Sequence, residues 1–506
     1  MTQDGKRKQG MARRIATVAL ALLLAAPAAA QEEHHNHPAP QRLGVVHFAT
    51  SCAPAVGAAF DRAVALLHSF AYTVADQGFA DVAAGDPTCA MAHWGRAMSH
   101  YHQLWDPPAG ADLAAGATEV DNASALTAET PREQAFIAAL GAYYAGADHA
   151  APAVRALRYS DAMAAVARDN RDDDEAQVFY ALSLVATASP TDRTHERQKR
   201  AADILEPIWK RQPQHPGVPH YLIHAYDSAE LAQRGLPAAR AYAGIAPSAP
   251  HALHMPSHIF TRLGLWDDSI ASNLAARAAA HAQGDVGEEL HAMDYLTYAY
   301  LQRGRTADAA QVVASLQGIG VVAAGGFKTG YAANAMPARL AVESRDWAAA
   351  ARLTPLPGSA PQVAAIVWWA RALGRSRAPS PGPADGDIVE LRACREALLA
   401  SGDAYWTAQT DALLKSAEGW RAAASGDADR AVTVLTAAAD EEDALEKLPV
   451  TPGPIVPARE QLGELFLALN RPSEALRAFN AALALAPGRR SALQGAAEAT
   501  RRLGAS

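Results

Sequence analysis

Cysteine is scarce: Cys52, Cys89 and Cys394 are the only three in 506 residues. So few, in a chain that begins like an exported protein, argue against a cysteine nucleophile. There is no basic block, and the formal net charge is -8. A mildly acidic chain argues against nucleic acid and against an anionic membrane surface as partners. Beyond the N-terminus no apolar run is long enough to span a bilayer. No Walker loop and no GxSxG elbow occurs. "GDVGEE" at 284 is not a dinucleotide fingerprint, because no strand precedes it. No catalytic motif is therefore identified, and an enzymatic role is left open through a metal-dependent activity. Histidine, 18 residues in all, is absent after His291.

What is present begins with a targeting segment. Arg13 and Arg14 precede an apolar run from Ile15 to Pro27, and Ala28, Ala29 and Ala30 supply a small-residue cleavage site. Residues 1–30 read as a signal peptide, so an exported and periplasmic protein is expected. Residues 31–50 read as a flexible tail with His34, His35 and His37. Export would let Cys52 and Cys89 pair, a disulfide that three cysteines do not by themselves fix. Cys394, within "VELRACREALLA", reads as a small packed hydrophobe.

Helix formers dominate the rest, and the C-terminal end shows how the helices are organised. "REQLGELFLALNRPSEALRAFNAALALAP" places Leu462-Gly463, Phe466, Ala475, Phe479, Ala482 and Pro487 at tetratricopeptide spacing. Small residues there let two helices approach, and the larger ones fill the gap. Asn470 falls at the turn, where a left-handed residue is tolerated. The same phase recurs at Ala75, Phe79 and Pro87, at Ala201, Leu205, Ile208 and Pro213, around Gly264 and Trp266, and around Gly304 and Ala309. The expected fold is all-α, an α-solenoid of tetratricopeptide-like hairpins. An N-terminal array covers 51–374, the Pro/Gly/Ser-rich stretch 375–387 is a linker, and a C-terminal array covers 388–506. "KLPVTPGPIVP", 447 to 457, reads as a second break.

The repeat phase then places the histidines. Counted from Pro213, His220 and His224 fall at the fifth and ninth positions of a first helix. Counted back from Gly264, His251, His254 and His258 fall at the second, fifth and ninth. Counted back from Gly304, His291, Asp294 and Tyr298 fall at the same three. Steps of three and four share one helix face, and first helices line the concave side of a solenoid. His220, His224, His254, His258, His291 and Asp294 are therefore candidate metal ligands. His215, Asp227, His251 and Tyr298 are candidates for the groove wall or for supporting the ligands. Imidazoles with a carboxylate suit zinc, copper, nickel or iron. The competing reading is a histidine network bonded to itself, to Asp227 and Asp294 and to water. Pro256 puts His254 near a helix start, so the four-residue step to His258 is less secure than that from His220 to His224. In "CAMAHWGRAMSHYHQLWDPP", Met98 and His102 are soft-metal ligand types on a stripe that reads first as packing.

The chain resembles a family of exported bacterial tetratricopeptide-repeat proteins. The resemblance rests on "SCAPAVGAAFDRAVALLHSFAY", "DPTCAMAHWGRAMSHYHQLW", "HPGVPHYLIHAYD", "HALHMPSHIFTRLGLW", "HAMDYLTYAYLQRGR" and "VTPGPIVPAREQLGELFLALNRPSEALRAFNAAL", and covers nearly all of the chain after the signal segment. It implies the solenoid fold and export, and carries no reaction or ligand. Two functions follow from the sequence. The first is a scaffold that takes a peptide or protein partner in its groove. The second is a transition-metal-binding protein, either a store or a metalloenzyme, built on residues 220–294.

Overall fold

The repeat spacing predicts helices in antiparallel pairs, and the computed structural model is built from them. It describes residues 42–505 apart from 105, 127, 320, 321 and 323–325. The signal segment 1–30 and His34, His35 and His37 lie outside the described residues. Among the described residues there is no strand. The pairs are α1 (Gly57–His68) with α2 (Tyr72–Gly85), α3 (Ala90–Ser99) with α4 (Gly110–Ala125), and α5 (Pro131–Tyr144) with α6 (Pro152–Asp169). Next come α7 (Asp174–Ala186) with α8 (Glu196–Arg211), and α9 (Gly217–Tyr226) with α10 (Ala232–Ile245). The short α11 (Pro250–His254) and α12 (Pro256–Arg262) share a partner, α13 (Trp266–Gln283), and α14 (Val286–Gln302) pairs with α15 (Thr306–Ala314). The C-terminal pairs are α16 (Phe327–Glu343) with α17 (Trp347–Ala350), α18 (Pro361–Arg377) with α19 (Asp385–Ser401), α20 (Ala404–Ala424) with α21 (Ala428–Asp443), and α22 (Ala458–Ala468) with α23 (Pro472–Leu485). A last helix, α24 (Arg490–Gly504), caps the array. Each pair packs on the next. The chain is an all-α solenoid of tetratricopeptide-like hairpins.

The small residues of the repeat pattern do what close helix packing requires. A Cβ on Gly463 would lie 2.8 Å from the Phe479 ring, so only glycine lets α22 and α23 approach that far. Asn470 turns the chain between them with φ 57°. Gly264 has φ 69°, and a Cβ there would lie 2.4 Å from the carbonyl oxygen of Pro487. The turn between α12 and α13 thus receives the C-terminal hairpin directly, and Trp266 Nε1 donates to the Gly488 carbonyl at 3.0 Å.

The concave side is filled. Phe48, in the extended segment before α1, sits among Phe60, Trp94, Phe136 and Phe179 with ring centroids 5.2–6.4 Å away. Helix α1 reaches across to α9. Cys52 and Cys89 are joined in a disulfide, with Cα atoms 4.8 Å apart, tying the segment before α1 to the start of α3. Residues 446–457, between α21 and α22, run over the inner face of α9, α12, α14 and α16. Lys447 Nζ reaches Asp227 Oδ2 at 2.6 Å, Glu446 pairs with Arg193 and Arg262, and Arg339 donates to the carbonyls of Gly453 and Pro454.

Candidate metal centre

Three neighbouring first helices, α9, α11–α12 and α14, bring six imidazoles to the inner face. All are buried: His220, His224, His251, His254, His258 and His291 expose at most 6 % of their surface. They form two adjoining groups of three, His220 with His224 and His251, and His254 with His258 and His291. Within each group one nitrogen from every ring lies within 4.8 Å of the other two. His220 Nε2 is 3.2 Å from both His224 Nε2 and His251 Nε2. His254 Nε2 is 3.1 Å from His258 Nε2, and the His254 and His291 rings are 4.2 Å apart between centroids. The groups meet where the His224 and His258 rings lie 5.8 Å apart.

Pro256 does not spoil the step between His254 and His258. It occupies the first turn of α12, where its missing N–H costs nothing. Met255 keeps helical backbone angles, φ -51° and ψ -37°. The amide of Met255 still donates to His251 and that of His258 to Met255, so the bent pair of helices holds its histidines like one.

The proton positions follow from the other ring nitrogens. His220 Nδ1 is 2.6 Å from the carbonyl oxygen of His68, and His251 Nδ1 is 3.3 Å from Glu288 Oε2. His254 Nδ1 is 2.6 Å from Asn273 Oδ1, and His258 Nδ1 is 2.9 Å from Asp227 Oδ2. Asn273 cannot be turned the other way, because its Nδ2 donates to the Ser269 carbonyl at 2.8 Å. Carbonyls, amide oxygens and ionised carboxylates only accept. Asp227 is ionised: burial opposes this, but Lys447, Arg262 and His258 hold it well below the carboxylate range. Glu288 is likewise held low, against burial, by Lys328 and His251. Each of these four Nδ1 atoms therefore carries the ring's proton, and each Nε2 of a neutral ring presents a lone pair.

Charging the rings instead is unfavourable. Burial pushes His220, His224, His254 and His291 well below the normal imidazole range, and neighbouring imidazoles push further. His258 is lowered to about 4 by burial, against the opposing pull of Asp227. His220 and His251 bring their Nε2 atoms to 3.2 Å of one another, and His254 and His258, both kept from protonation by burial, bring theirs to 3.1 Å. Oxygen acceptors on the distal nitrogens are the usual support of metal-bound histidine.

The other predicted residues fall elsewhere. Asp294 is buried but is not among the converging donors. It faces Arg339, whose Nε is 3.6 Å from Oδ1. Tyr298 accepts from Arg489 at 2.9 Å and lies under the Arg339 guanidinium. The reason is that α14 packs at once against α13 and α16, so beyond its first turn the inner stripe turns from the histidines toward the C-terminal repeats. Tyr295, one residue on from Asp294, takes the place next to the imidazoles. Its hydroxyl is 3.4 Å from His258 Nε2 and donates to the Thr451 carbonyl at 3.2 Å. His251, expected in a supporting place, is one of the converging set. Asp227 supports His258 directly. His215 belongs to a separate trio, in which Glu175 bridges His215 at 2.9 Å and His68 at 3.0 Å. That trio positions the His68 carbonyl that orients His220. Met98 and His102 are packing residues: Tyr159 donates to the Met98 sulfur, and His102 stacks on Tyr72 at 4.3 Å.

Glu288, Asn273, Tyr295 and the carbonyl of His68 complete the centre and were not predicted. Only Glu288 left a trace in the sequence, one helical turn before His291.

No protein-family model matches the chain, and no curated protein matches it. Solved structures similar to it include the APC/C hetero-tetramer Cut9–Hcn1, at 11% identity over 88% of this chain and 76% of that one, with a TM-score of 0.39. The human IFIT1 dimer with m7Gppp-AAAA is similar at 11% identity, over 82% of this chain and 90% of that one, with a TM-score of 0.35. The P58(IPK) TPR domain is similar at 13% identity, over 89% and 99%, with a TM-score of 0.22. The assignment of the fold rests on the helical hairpins described above.

Proposed function

We propose that this protein binds a transition metal at the histidine centre of α9, α11–α12 and α14. The observation that carries the reading is the convergence of Nε2 atoms from neighbouring helices, while the Nδ1 atoms are held by oxygen acceptors. Neutral imidazole is the ligating form, and an all-imidazole set suits copper, zinc, nickel or iron. Asp294 is left out of the ligand set in this reading. The protein acts after export, and the Cys52–Cys89 disulfide supports an oxidising compartment. The other function open to a tetratricopeptide-like solenoid is a scaffold with a peptide or protein in its groove. At the level of the histidines that groove already holds residues 446–457, which favours the metal.

Elemental analysis of untagged protein tests the proposal. We expect stoichiometric transition metal in the natural chain and its loss in His220→Ala/His254→Ala. Equal, substoichiometric metal in both would remove the centre from consideration.

A further inference from the structure

The two groups of three histidines are copies of one another under the solenoid's own repeat. His220 and His224 stand at the fifth and ninth positions of their repeat, and His254 and His258 at the same positions of the next. Each pair is completed by the second-position residue of the following first helix: His251 for the first pair, His291 for the second. The interface of α9 with α11–α12 therefore builds one three-nitrogen site, and the interface of α11–α12 with α14 builds it again. A repeat protein that uses a motif at one interface presents it in equivalent surroundings at the next.

Formal charge limits what these sites accept. Imidazole binds a metal in its neutral form, so the ligands bring no charge of their own. Asp227 and Glu288 are the carboxylates that touch them. Asp227 is already matched by Arg262 and Lys447, and Glu288 by Lys328. Glu446 shares Arg262, so three cations already meet three carboxylates before any metal arrives. A buried shell already in balance, with no carboxylate to spare, opposes the gathering of two dications. Zinc also asks for a fourth ligand, and each group offers three side chains. Copper(I) carries a single charge and is satisfied by three nitrogens.

Resting on the metal-binding reading, we infer that the centre holds a pair of copper(I) ions, one in each three-histidine group. Anaerobic titration with copper(I) against a chromogenic copper(I) chelator tests this on the full chain. Two equivalents are expected in the natural protein, and one in each of His251→Ala and His291→Ala, with X-ray absorption reporting three nitrogen ligands per copper. A single equivalent in the natural protein, which needs no variant to interpret, overturns the pair. Displacement of copper(I) by equimolar zinc(II) overturns the choice of metal. Either result leaves the metal-binding proposal standing. That proposal fails if copper, zinc, nickel and iron all bind below one equivalent.

Discussion

Two polar networks are buried in this solenoid, and they are built on opposite plans. Around Arg489, in the C-terminal repeats, every guanidinium nitrogen meets an acceptor. Nε and Nη2 donate to Glu460 at 2.7 and 3.1 Å, Nη2 also to Glu343 at 2.8 Å, and Nη1 to Tyr298 at 2.9 Å. Around His220 and His254 the oxygens use up the ring protons and leave nitrogen lone pairs turned on one another. The first network is complete as folded. The second lacks positive charge at its centre, although cations surround it. The first network holds repeats together, and on the metal-binding proposal the second is completed by a cation.

The sharpest way to break this contrast is Arg489→Met. It leaves Glu460 and Glu343 buried without their cation, so denaturant unfolding should show a loss of about 3–5 kcal/mol. Metal content per folded molecule should stay unchanged. A loss of metal would show that the two networks are not separate.

Asp294 lies between them and should show where one ends. Burial raises its carboxyl to about 6, against the pull of Arg339. The unfolded chain releases that proton near 4. The folded protein thus holds a proton that the unfolded one gives up, and stability falls as pH rises from about 4 to about 6. Below that window the penalty is absent, and above it the penalty is constant. The difference is about 3 kcal/mol. Asp294→Asn should lack this slope when unfolding is compared at pH 4.5 and 7. A variant with the same pH difference as the natural chain would rule the assignment out.

The mildest change is Asn273→Ala, which removes the acceptor on His254 Nδ1 and no ligand. Metal affinity should drop about 10- to 100-fold, read by chelator competition, with folding retained. An unchanged affinity would mean that Asn273 orients nothing at the metal.

Much of this was legible from residue spacing. The phase that sets Gly463 against Phe479 also sets positions two, five and nine of each first helix inward, and that was enough to name five of the six histidines as ligands and to put His251 beside them. It failed at Asp294 because phase gives a helix its face but not its rotation against unequal neighbours. α14 packs on α13 and on α16 at once, and Tyr295 meets the imidazoles while Asp294 meets Arg339. Asp227 was legible as a supporting oxygen, and the others were beyond reach for another reason. Asn273 and the His68 carbonyl come from a second helix and from a distant repeat, and their types are common everywhere. The path of 446–457 left no signal either, since a Pro-rich break reads alike on the surface and in a groove.

That path has a consequence in time. A chain made from its N-terminus finishes α9, α12 and α14 well before it reaches Glu446. Until Lys447 arrives to pair with Asp227, and Thr451 to accept from Tyr295, the inner face of those helices stands open to solvent. A late part of the polypeptide is the part that shuts the door, so on the metal-binding proposal an ion can enter before the seam closes and needs no channel to do so.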